Sequence, residues 1–240
     1  ADVGGSYTHS DQSIYSADGN SGVIKLTPGR GGDALLNGVN LPDGEAQFTF
    51  SVSSIPQGGS GIYVGAVLRQ ANGRAYLGVV RIAPGGAAKL AVKRQNNAQG
   101  SADIIGSEVN LPLVVSAGQA YTLRFHVSGQ SSVRLAARVS PSGSSGTTWQ
   151  VDNVDSSAQR VTGQGSAGIW SYLSGSSAAS TVDVDNVLVE SIETSTTPST
   201  TSATTTTTPT KPPATTTATT KPAATTTTST TTTSSTTTAP

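Results

Sequence analysis

In the stretch "AYTLRFHV", Tyr121, Leu123, Phe125 and Val127 fall on one side of an extended chain, and Thr122, Arg124 and His126 fall on the other. Successive side chains of a strand point to opposite faces, so this spacing marks a strand with one dry and one wet face. The pattern recurs. In "VRLAARV", Val133, Leu135, Ala137 and Val139 oppose Arg134, Ala136 and Arg138. In "GIYVGAVLR", Ile62, Val64, Ala66 and Leu68 oppose Tyr63, Gly65, Val67 and Arg69. Further strand-like runs are "GVIKL", "AQFTFSV", "AYLGVVRI", "AKLAVKR", "TTWQV", "AGIWSYL" and "STVDVDNVLVE". Between them fall the breakers "PGRGGD", "PQGGSG", "QANGR" and "APGGA", in which glycine accepts a positive φ without steric cost. No helical period runs through any window of about a dozen residues. The expected fold is all-β: two antiparallel sheets packed face to face, each strand burying one side between them. In the last run Val182, Val184 and Val187 supply the apolar contacts and Asp183 and Asp185 the opposite side, with a slip of register near Asn186.

The sandwich is expected to span residues 1–193. From 194 to 240 the chain is almost entirely Thr, Ser, Pro and Ala. Such a segment has no large apolar side chain to offset the entropy of ordering its backbone, so it is read as a disordered linker or stalk. Of the 14 basic residues, Lys211 and Lys221 lie there, leaving 12 against 14 acidic residues in the sandwich. That balance argues against a nucleic-acid partner held by bulk charge. The absence of cysteine excludes disulfides and thiolate metal sites. No apolar run approaches the roughly 18 residues of a membrane span. The sequence opens at Ala1 without a basic and apolar leader, as expected of a mature or excised piece.

The order of "ADVGGSYT", "YVGAVLR", "AYLGVVRI", "AGQAYTLRFHVSG", "VRLAARV", "TTWQVDNVDSS", "GSAGIWSYLSGSS" and "TVDVDNVLVE" resembles a module of secreted multidomain proteins of actinobacteria. That module is similar to the concanavalin A-like lectin/glucanase jelly rolls, and the resemblance covers essentially all of residues 1–193. It implies a jelly-roll sandwich, an extracellular or cell-surface setting and a polysaccharide partner, often beside a separate catalytic module. In the family a further strand with an aromatic residue precedes the "AD-x-GG" element, so that strand is expected to be missing here. Thr/Ser/Pro tracts of extracellular proteins are commonly O-glycosylated stalks, with Thr204, Thr205, Thr206, Thr215, Thr216, Thr225 and Thr226 as acceptors. No Asn-x-Ser/Thr sequon occurs.

Glucanases on this fold carry two carboxylates on one strand. The four glutamates, Glu45, Glu108, Glu190 and Glu193, supply no such pair, and Asp183 with Asp185 is the best acid pair available. His9 and His126 are the only histidines, and no G-x-S-x-G element accompanies them. The chain is therefore expected not to be an enzyme. Jelly rolls of this kind often hold a structural calcium ion, for which Asp185 with Asp2 or Asp18 would supply oxygen ligands. "PGRGGD" lacks the Lys-Ser/Thr of a phosphate loop and reads as a turn.

Sugar binding remains. Tyr63, Tyr76, Trp149, Trp170 and Tyr172 are the rings available for stacking on a saccharide. Arg69, Arg124, His126, Arg134 and Arg138 are expected to line one polar sheet face, where arginine forks would suit vicinal hydroxyls, uronates or sulfates. With Ile169 and Leu173 as the core pair, Trp170 and Tyr172 turn outward; a slip near the Gly-rich loop would bury them instead. The expected function is a non-catalytic glycan-binding accessory module. The alternative is a surface or fibre subunit whose copies join by strand exchange at open sheet edges.

Overall fold

In the computed structural model residues 5–98 and 100–192 are described. The chain divides into two units, Ala1–Thr196 and Thr197–Pro240, and all of the described residues belong to the first. The proposed tail acceptors from Thr204 to Thr226, and Asp2, lie outside the described residues.

Among the described residues fifteen strands follow one another, with two short 3-10 turns between them. They are β1 (Tyr7–His9), β2 (Tyr15–Ala17), β3 (Gly22–Leu26), β4 (Gly31–Leu41), β5 (Gly44–Val52), β6 (Ile62–Ala71), β7 (Arg74–Ile82) and β8 (Ala87–Gln95). Then come β9 (Ala102–Ile104), β10 (Val109–Val114), β11 (Tyr121–Ser128), β12 (Val133–Pro141), β13 (Val151–Asp155), β14 (Gly165–Leu173) and β15 (Ser180–Ser191). The first sheet runs β1-β4-β14-β6-β7-β8-β10, with β9 also on β8; the second runs β13-β12-β11-β5-β15-β3-β2. Every pairing is antiparallel. The described residues form an all-β, antiparallel two-sheet sandwich.

The alternation in the sequence decides what each strand buries. Phe48, Phe50, Leu123, Phe125, Val127, Val133 and Leu135 of the second sheet meet Ile62, Val64, Leu68, Val80, Ile82 and Leu90 of the first. Burying each large apolar side chain contributes about 1.5–3 kcal/mol, and these side chains hold the layers together. Phe125 fits because Gly78 faces it: a Cβ there would stand 2.6 Å from the ring. The bulge expected near Asn186 is present, with Asn186 at φ 52 and a register shift between Asp185 and Leu188. It turns Val187 and Leu188 to solvent, which corrects the expectation that Val187 packs inward.

Two other segments differ from the sequence reading. The "TTWQV" strand begins only at Val151, leaving Trp149 in the preceding loop. Of "PGRGGD", only Pro28–Arg30 forms the turn, and Gly31–Asp33 opens the eleven-residue β4.

Candidate functional site

On the outer face of the first sheet, Trp170 and Tyr172 lie two apart on β14, while Ile169 and Leu173 point into the core. The register sets Trp170 opposite Gly65 and Tyr172 opposite Tyr63 of β6. Gly65 has no side chain to lift the indole: a Cβ there would lie 3.5 Å from Trp170 Cε3 and 3.1 Å from Val79 Cγ2. The Trp170 and Tyr172 ring planes are 14° apart with centroids at 6.4 Å, and Tyr63 stands 5.9 Å from Tyr172 and 6.4 Å from Trp170. All three rings are half-buried. Beneath them Val67, Leu77 and Val79 are only 2%, 3% and 2% exposed although they point away from the core. Lys93 Nζ is 5.3 Å and the Arg81 guanidinium 6.0 Å from the Tyr63 ring centre. Arg81 is forked onto Glu108, its Nε donating to Oε1 at 2.9 Å. Burial pushes the Lys93 ammonium below its ordinary value, against the pull of Glu108. Neither Lys93 nor Arg81 was singled out in the sequence, although both share the outward alternation of their strands.

The outer face of the second sheet is built from polar positions. Arg124 and Arg138 are direct partners across β11 and β12, and Gln47 follows Arg124 on β5, so the three form one row across the sheet. In the adjacent row His126 faces Glu45 of β5, and Glu45 faces Glu190 of β15. Glu45 accepts from Arg124 and lies 3.5 Å from His126 Nδ1. Arg134 forks onto Asp152 at 2.9 and 2.7 Å. The Trp149 ring packs against this face, 5.7 Å from the Arg124 guanidinium and 5.9 Å from the His126 ring. Burial first, then the Arg134 charge, lower the His126 pKa. A pocket of about 180 Å³ opens between Glu45, Gln47, Arg124, Leu188 and Glu190. The pairing of Glu45 with Glu190 crosses two strands, so a search for two acids in one strand does not find it.

The residues expected to form one arginine face are thus divided. Arg124, His126, Arg134 and Arg138 lie together with Trp149, whereas Tyr63, Trp170 and Tyr172 occupy the other sheet. Arg69 is a correction. At φ 56, beside a register shift in β6, it turns inward and is 2% exposed. There it donates to the carbonyls of Pro42, Val161 (2.8 Å) and Gly129 (2.7 Å) and to Asp43 Oδ1 (2.6 Å). It is a strut between loops. Tyr76 is also corrected: it is 0% exposed, and its hydroxyl donates to Asp155 Oδ2 at 2.9 Å and accepts from Val161 N at 3.0 Å. The expected calcium ligands do not converge among the described residues, where no group of three carboxylate or imidazole side chains comes together. Asp18 accepts from the backbone N–H of Asn20 and Ser21, and Asp185 from that of Asn186.

No family model and no curated protein sequence matches the chain. Solved structures do resemble it. A functionally unknown protein from Saccharomyces cerevisiae is 14% identical over 78% of this chain and 96% of its own, with a TM-score of 0.51. The alginate lyase Aly36B is 10% identical over 80% of this chain and 89% of its own, at 0.53. A legume lectin-like domain from Entamoeba histolytica is 12% identical over 78% of this chain and 90% of its own, at 0.49. At such identities the likeness is one of fold. It nevertheless overturns the expectation that the chain is not an enzyme, because a sandwich of this shape carries a lyase. Glu45 and Glu190 also meet across β5 and β15, so two carboxylates do come together in the fold.

Proposed function

We propose that this chain is an extracellular glycan-binding domain and that its saccharide site is the Tyr63–Trp170–Tyr172 face of the first sheet. The near-coplanar Trp170 and Tyr172 rings carry the reading. Aromatic rings bury large apolar area and present flat faces, and a sugar ring has C–H faces to lay on them. An apolar floor under the rings, rimmed by Arg81 and Lys93, is the composition of a ligand surface more than of a solvated one. A polysaccharide-acting enzyme among proteins of the same fold agrees with a glycan ligand. The motif order supports an origin in secreted actinobacterial proteins, and the Thr-rich segment an O-glycosylated linker.

The test is calorimetric titration against a panel of neutral and acidic polysaccharides. Trp170→Ala should weaken the best binder at least about tenfold, or 1.4 kcal/mol, while leaving the melting midpoint close to that of the parent. A panel without a binder, or full affinity in Trp170→Ala, would end the reading. Mass spectrometry of native material should show hexose ladders confined to the tail peptides.

A further inference from the structure

We infer that the outer face of the second sheet is a second and independent site, which takes the carboxylate or sulfate groups of an acidic polysaccharide on Arg124 and Arg138 beside Trp149. The inference does not rest on the aromatic site of the first sheet.

Three observations carry it. First, Arg124 and Arg138 are direct cross-strand partners on one outward face. Side chains so placed start about 4.5–5.5 Å apart at Cβ, and like charges there destabilise a sheet. Second, the neighbouring arginines have carboxylate partners and Arg138 does not. Arg134 is forked onto Asp152, and Arg124 is bound to Glu45. Among the described residues the Arg138 side chain makes no ion pair and no hydrogen bond, although it is half-buried. Its guanidinium has five donors and lies beside another cation, which is the arrangement that a bidentate oxyanion relieves. Third, Trp149 closes one side of the pair and holds Arg124 by a cation–π contact at 5.7 Å. Gln47 continues the row beyond Arg124. Two guanidinium groups and one amide on a single row, with the Trp149 ring beside them, suit an anionic sugar better than a bare ion. Burial and the Arg124 charge lower the Arg138 pKa, in keeping with a strained pair of cations.

Taken with the proposed aromatic site of the first sheet, this second site would make the domain bivalent. Stacked sheets lie about 10 Å apart with the core between them, so a glycan on one face cannot reach the other without leaving its site. Two polymer segments can then be held at once, and their linkage gains from effective concentration without any new contact.

The experiment titrates the full chain with three short probes: an oligogalacturonate, a sulfated gluco-oligosaccharide and a neutral gluco-oligosaccharide. One acidic probe at least should bind, with affinity that falls as salt is raised; the stronger of the two identifies the anion as carboxylate or sulfate. Arg138→Gln should weaken that probe at least about tenfold and leave the melting midpoint unchanged or higher. Arg138→Lys, which keeps the charge but loses the fork, should recover little of the lost affinity. Trp170→Ala should leave acidic binding within about twofold. Failure of both acidic probes to bind, undiminished affinity in Arg138→Gln, or loss of acidic binding in Trp170→Ala would each overturn the second site. Loss of neutral binding alone would count only against the aromatic site.

Discussion

The outward positions of the first sheet hold Tyr63, Trp170 and Tyr172 over valine and leucine; those of the second hold Arg124, His126, Arg134 and Arg138 around one tryptophan. Both sets come from strands with the same inward pattern, since the core accepts only apolar residues of the right size on either side. What differs is confined to the positions that packing leaves free. One face offers shape and dry area, the other fixed charge. Salt should separate them, since exposed charges are screened and apolar contact is not.

The sharpest way to break this contrast is through the buried arginine that the sequence placed among the exposed ones. Asp43→Ala removes the carboxylate at 2.6 Å from Arg69 and should cost about 3–5 kcal/mol in denaturant unfolding. Asp152→Ala, which frees exposed Arg134, should cost under about 1 kcal/mol. Equal losses would mean that Arg69 is no strut. Gly65→Val, which crowds Val79 and the indole, should cost about 1–3 kcal/mol. It should change tryptophan fluorescence and abolish binding on the aromatic face, with acidic binding intact. The third effect belongs to pH. Burial holds the His126 imidazolium below its ordinary range, so protonation costs more in the folded state than in the unfolded. Its contribution is complete above that ordinary range and is lost as pH falls through the lower folded value. The melting midpoint should therefore decline from pH 7 to pH 5, and His126→Gln should flatten the decline. Last, removal of residues 194–240 should shift the midpoint by less than about 2 °C, because that segment has no large apolar side chain to pack.

Period-two runs such as "YTLRFHV" and "VRLAARV" reveal their inward and outward sides without a structure, because one face must be dry. Strands without that asymmetry do not. β4 begins in glycines and ends in "NGVNL", and β1, β2 and β9 are three residues long, so none stands out from turns. Arg69 misled because alternation fails at a residue with positive φ, and the only hint is its place shortly before the "ANG" turn. The Glu45–Glu190 pair and the Arg124–Arg138 pair depend on register between distant strands. For β15 that register follows a bulge. The Trp170 platform needed one local fact, the spacing from Ile169 and Leu173, and one distant fact, a glycine across the ladder.

β15 is bonded on both sides, to β3 through Ser180–Val184 and to β5 through Val182–Ser191. The chain continues beyond Ser191, so a pull applied from that side enters the domain on this strand. Pulled along its own axis, β15 can leave only by shearing two ladders together, so its hydrogen bonds share the load instead of opening one by one. In a single-molecule stretching experiment the sandwich should therefore yield in one high-force rupture, and a gradual low-force peeling would show that β15 is no mechanical anchor.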